Sequence, residues 1–175
     1  FYAGYDNQLS LLFTGKVMQA YSEKQGTEII TEIQALDNDI IQSYSSHTFP
    51  AGTEKTDIIK TLASDMPNVQ LGAVGNIQGT TQAPTVFDEL TFTAINKVTG
   101  GQAFVDLNKL NVLNNNEVLK DVEIYKITSD TGLLGTPKRR DAQLEIDMIF
   151  EPRITVGQLV EIESSTASIF DGQFK

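Results

Sequence analysis

Hydrophobic and polar positions alternate with a period of two along much of this chain, the mark of strands with one buried face. Ala142, Leu144, Ile146, Met148 and Phe150 alternate with Gln143, Glu145 and Asp147. Glu151-Pro152-Arg153 interrupts the run, because proline has no amide to give a ladder. Alternation resumes at Leu159, with Val160 and Ile162 on one side and Glu161 and Glu163 on the other. Read as one hairpin turning near Ile154, the two runs set Asp147 opposite Glu161 and Glu145 opposite Glu163. Like charges across a ladder oppose pairing by roughly 0.2–1 kcal/mol each. Such a face is either plainly solvated or acidic for a purpose other than folding.

The opening of the chain repeats the theme. Residues 9–21 read as a strand bent at Gly15, Glu23-Lys24-Gln25-Gly26 as a turn, and residues 27–36 as the return strand. Ile29, Ile33 and Ala35 fall on one face; Glu28, Ile30, Glu32 and Gln34 fall on the other. Asp37-Asn38-Asp39 punctuates the pattern, and residues 40–49 fit a further strand.

At Pro50 the period changes. Ile58, Ile59, Leu62, Ala63 and Met66 make a helical stripe, capped by Thr53 or Thr56 and ended by Pro67-Asn68. Residues 69–77 fit a glycine-rich strand with close backbone contacts. A second helix is expected from Thr85, where Thr85-x-x-Asp88 approximates a capping box. Its stripe is Phe87, Leu90, Ala94, Ile95 and Val98, and Gly100-Gly101 stops it. Residues 103–105 and 110–113 read as a hairpin, 114–117 as a linker, 122–127 as a strand, and the stretch from there to Ala142 as a long loop. The fold class expected is therefore α+β, mainly β. An antiparallel β-barrel-like domain would be built from residues 1–50 and 118–175, packed together, with 51–117 as an inserted α+β lobe holding two helices.

Length and charge narrow the picture. A chain of 175 residues is long enough to bury about 70% of its unfolded surface. Thirteen Lys and Arg stand against 23 Asp and Glu, a formal net charge of −10, and the acid is spread along the whole sequence. Nucleic-acid binding needs clustered cations, and the sole basic run is Lys138-Arg139-Arg140. With no cysteine, disulfides, thiolate zinc sites and cysteine nucleophiles are excluded. No apolar run approaches the ~20 residues of a membrane span. The chain starts at Phe1 and stops at Lys175 within an apparent strand, so it reads as a piece of a longer product.

Candidate chemistry is sparse. His47 is the only histidine, and without a G-x-S-x-G elbow a Ser-His-Asp site would need scattered parts. Glu145 with Glu163 is a formal glycosidase pair, but an exposed face offers no apolar pocket to raise an acid's pKa. Asp37-Asn38-Asp39 lacks the glycine and distal glutamate of a calcium loop. Gly72-Ala73-Val74-Gly75 and the glycines at 132 and 135 lack a P-loop lysine. No catalytic residue, metal ligand or cofactor is expected. A loop carrying Leu133, Leu134, Pro137, Lys138, Arg139 and Arg140 suits docking to an acidic neighbour, or is a solvated charge run.

Thr131-Gly132-Leu133-Leu134-Gly135-Thr136-Pro137, then a strand, then Pro152-x-Ile154-x-Val156-Gly157-Gln158-x-Val160-x-Ile162, resembles the baseplate hub proteins of long-tailed bacteriophages. So does the opening FTGKVMQAYSEKQGTEIITEIQALD. The resemblance implies a structural, non-enzymatic homotrimer of β-barrel domains, joining tail tube and spike proteins. It implies a place in the virion tail baseplate after synthesis in the host bacterial cytoplasm, with no membrane span and DNA passing through rather than being bound specifically. In such a ring Glu28, Glu32, Glu145, Asp147, Glu161 and Glu163 are expected to face the lumen. The competing reading, a secreted carbohydrate-binding or peptidoglycan-processing module, would want exposed aromatics in a cleft, and the chain has no tryptophan.

Overall fold

The computed structural model describes residues 1–36 and 42–175; the Asp37-Asn38-Asp39 punctuation and the start of the strand expected after it lie outside them. The architecture is α+β and mainly β. Two compact units divide the chain, Phe1–Leu12 with Asn116–Lys175 and, separately, Phe13–Asn115.

In the first unit, β1 (Tyr2–Tyr5) and β2 (Gln8–Leu11) form a hairpin about Asp6-Asn7, both at positive φ. β10 (Tyr125–Ile127) pairs in parallel with β13 (Val160–Ile162), and β14 (Gly172–Phe174) adds antiparallel to the far side of β13. β11 (Leu133–Arg140) and β12 (Gln143–Met148) form a separate hairpin. Ile127, Leu133 and Ile162 are its buried centre, with Leu144, Ile146, Met148 and Ile154 packed around them.

This arrangement corrects two expectations. The supposed loop after Ile127 is a strand for most of its length, and the register shift between Leu134 and Lys138 shows why it was hidden. Gly135, Thr136 and Pro137 occupy that irregularity, where a proline forfeits no ladder hydrogen bond. Nor do residues 142–163 form one hairpin. β12 turns back on β11 through Asp141, at φ 52, while the segment after Pro152 leaves it and joins β10.

In the second unit, β3 (Lys16–Gln25) and β4 (Glu28–Leu36) make the longest ribbon, turning at Gly26 and bulged at Met18. The lobe that follows holds the main core. β5 (Tyr44–Phe49) pairs with β7 (Thr85–Leu90) residue for residue, so residues 44–49 are hydrogen-bonded into the lobe rather than to the opening strands. Phe49 meets Phe87 edge-on at 5.9 Å, and both are buried. α1 (Lys55–Ala63) and α2 (Thr91–Thr99) pack their Ile58, Ile59 and Leu62 and their Ala94, Ile95 and Val98 into the same core. Burial of each of these larger apolar side chains stabilises the fold by about 1.5–3 kcal/mol.

α1 begins at Lys55, with Glu54 rather than a threonine at its cap. The second helix begins six residues later than Thr85, because residues 85–90 are strand: Phe87 is buried between exposed Val86 and Asp88, a period of two. Gly100, at φ 70, ends α2 as its sequence requires. β6 (Gln70–Val74), β9 (Lys109–Val112) and β8 (Ala103–Asp106) complete the lobe as a three-stranded sheet in that order. Gly72 leaves room there for Asn111: a Cβ would stand 2.4 Å from its Oδ1, which accepts the Ala73 amide at 2.9 Å, so any other residue would have to displace that side chain.

The sheets are not closed into a barrel; each has two or three strands. Closure needs every strand paired on both sides. Strands as short as β10, β13 and β14, and ribbons of two strands, instead leave open edges.

Candidate assembly surfaces

Among the described residues no strand pairing sets carboxylates across from one another as the single-hairpin reading required. Register decides it. Glu145 lies opposite Lys138, and Asp147 opposite Leu134. Arg140 Nε meets Glu145 at 2.6 Å and Lys138 Nζ meets Asp147 at 3.9 Å. On the other sheet Glu161 lies opposite Lys126, whose ammonium reaches Glu161 at 3.7 Å and Glu163 at 2.5 Å. Glu163 first and Glu161 second hold that ammonium's pKa above the ordinary lysine value.

The basic run is thus the counter-charge to β12, not a free loop. Leu133 and Pro137 are buried, so they contact the unit's own interior. Leu134, Lys138, Arg139 and Arg140 remain exposed, on a strand rather than a mobile loop, with Arg139 opposite Leu144 on the face away from the other three.

The β3–β4 ribbon is different. Opposite residues share a face, so Lys16, Gln19, Tyr21, Glu23 and Gln25 lie with Glu28, Ile30, Glu32, Gln34 and Leu36. That face carries three acids against one lysine. Tyr21 donates its hydroxyl to Glu32 at 2.6 Å and Gln34 donates its amide at 3.0 Å, which holds the Glu32 carboxyl below its usual pKa. The reverse face carries Val17, Ala20, Ile29, Ile33 and Ala35, interrupted by the bonded pair Ser22–Thr31 and by Lys24 opposite Ile29. All but Ala35 are exposed, Ile29 by 76%. A two-stranded ribbon bare on both faces is marginal alone in water, and exposed Val17, Ile29 and Ile33 on one side of it mark a contact surface.

His47 enters a network the sequence did not reveal. Its Nε2 lies 2.8 Å from Asp65 Oδ2, and Ser45 Oγ donates to the same oxygen at 2.5 Å. Ser45 is 1% exposed and also meets Thr91 Oγ1 at 2.8 Å. Serine and histidine share one acceptor, so no base is positioned on the serine hydroxyl. The network ties β5 to the end of α1 and the start of α2. Glu145 is on β12 and Glu163 follows the end of β13 in a different sheet, each against a cation. Among the described residues no group of acids and histidine has the arrangement of a metal site, and no helix is long and apolar enough to cross a membrane.

Over residues 1–174 the chain matches the family described as Baseplate hub gp41. No curated relative matches it.

Proposed function

The chain belongs to the baseplate hub family, a structural component of the phage tail baseplate, and from that premise we propose that it lines the DNA channel where the tail tube meets the central spike. In this reading three copies form a ring, tube and spike proteins bind its two ends, and the chain is made in the host cytoplasm before assembly. It works by shape and charge, without catalysis.

The observation that carries the proposal is the two-faced β3–β4 ribbon. On one face exposed Val17, Ile29 and Ile33 need cover, which an assembly supplies, and the other face keeps a net negative charge. A wall of lysine or arginine would hold passing DNA; carboxylates repel it. In a narrow bore that repulsion is only partly screened, the Debye length being about 8 Å at physiological salt. Of the six carboxylates expected at the lumen, Glu28 and Glu32, joined by Glu23, meet this requirement best. Glu145, Asp147, Glu161 and Glu163 stand beside their own cations and contribute less net field.

The test is a cryo-EM map of the assembled baseplate, with the triple variant E23Q/E28Q/E32Q assayed for DNA ejection. The expected result is the acidic face toward the bore, an intact fold and slower ejection. A ribbon whose acidic face points into bulk solvent, or unchanged ejection by the triple variant, overturns the proposal.

A further inference from the structure

β7 pairs only with β5 among the described residues, so half of its amides and carbonyls point away from any strand. A cavity of about 320 Å³ lies there. Thr85, Phe87 and Glu89, alternate residues on the face of β7 turned toward the helices, line it together with exposed Val86. The space therefore lies against the helix-facing side of β7. No β5 residue lines it, so it lies toward the unpaired edge of β7. Buried Ile58 and Val98 supply its apolar floor.

Its charge is unusual for so acidic a chain. Lys97 is held by Glu89 at 2.6 Å. Lys55, also on the cavity wall, is half-buried and makes no ion pair among the described residues. A half-buried lysine with no counter-ion among the described residues, beside an apolar slot and a free strand edge, is complementary to one kind of partner. We propose that β7 accepts an extended acidic segment of a neighbouring protein as an added strand, an apolar side chain of that segment filling the cavity and a carboxylate meeting Lys55. Main-chain bonds would give the affinity, and the alternating side chains the specificity. The partner's being a tail protein rests on the baseplate reading; the binding chemistry does not.

The probe is a fluorescein-labelled peptide of alternating valine and glutamate, followed by anisotropy against the full chain. Two controls accompany it, the same peptide with lysine for glutamate and a version N-methylated at alternate residues, which cannot pair along its backbone. The chain variant is K55E. Lys55 opens α1 and donates no side-chain bond, and a carboxylate is favourable in a first helical turn, so the variant folds. The expected result is binding of the acidic peptide, at least tenfold weaker binding to K55E, and loss of binding for both control peptides. Equal affinity for K55E, equal affinity of the N-methylated peptide, or no binding at all overturns the proposal. So does dimerisation of the chain that K55E abolishes, which would assign the edge to a second copy. None of these outcomes bears on the β3–β4 ribbon, so the channel proposal stands or falls separately.

Discussion

Glu151 gives the sharpest thermodynamic test of the first unit. Its carboxylate accepts Arg153 Nε and Nη2, both at 2.7 Å, the Arg153 amide at 3.0 Å and the Tyr125 hydroxyl at 3.0 Å. The Arg153 guanidinium in turn lies 5.1 Å from the Tyr125 ring centre. These contacts, the Arg153 bonds first, hold the Glu151 pKa down from 4.5 to about 2. At about 1.4 kcal/mol per tenfold in proton affinity, that drop sets a ceiling of roughly 3.4 kcal/mol for the charged form. Only 14% of the Glu151 side chain is exposed, but Arg153 is 71% exposed. Solvent screening lowers the expectation for Glu151→Gln to about 1–2 kcal/mol.

The folded-state pKa lies below the unfolded one, so the carboxylate's contribution is fully present above 4.5 and is lost as pH falls through about 2. About 40% of it should remain near pH 3. Urea unfolding, read from the amide NMR signals of buried Ile127 and Ile162, isolates this unit from the other. The difference between wild type and E151Q should be largest near neutrality and should narrow toward low pH. A difference below about 0.3 kcal/mol, within the range of an ordinary surface pair, or one that stays constant down to pH 3, would refute the reasoning.

Two further predictions concern the lobe. Leu62 is fully buried, and Leu62→Ala should cost about 2–5 kcal/mol by loss of burial and the cavity left behind, seen as a lower urea midpoint in the signals of Ile95 and Leu110. Leu107 sits at φ 45 in the turn before Asn108, at φ 63, a left-handed conformation that disfavours leucine by about 1–2 kcal/mol. Leu107→Asn should therefore raise stability by about 1 kcal/mol, and a lower denaturation midpoint would show that leucine makes contacts worth more than the strain.

The sequence alone determined the features that rest on local periodicity. Ile58, Ile59 and Leu62 define the buried stripe of α1, Ala94, Ile95 and Val98 that of α2, and Gly100 its end, because these patterns are set within one or two turns of chain. The two faces of β4 follow from alternation alone. The wording from Thr131 to Ile162 was enough to indicate the family. At Thr85 local pattern failed, since Phe87, Leu90 and Ala94 satisfy a helical spacing while Val86, Phe87 and Asp88 satisfy a strand. Pairing with Tyr44–Phe49 settled it.

Beyond the β3–β4 and β8–β9 hairpins, tertiary structure alone decided which strand lies across from which. Alternation in β12 says which side is buried but carries no information about the strand beside it, and Pro137 disguised β11 as a loop. The parallel β10–β13 pairing joins residues far apart in sequence, where no turn fixes the register. Charge followed from that choice. Once Lys138 and Arg140 lie beside Glu145 and Asp147, and Lys126 beside Glu161 and Glu163, carboxylates that a one-hairpin register would set in repulsion become paired. The free edge of β7 and the ammonium of Lys55 beside it were likewise beyond the reach of any linear pattern, because an edge is defined by the strand that is not there.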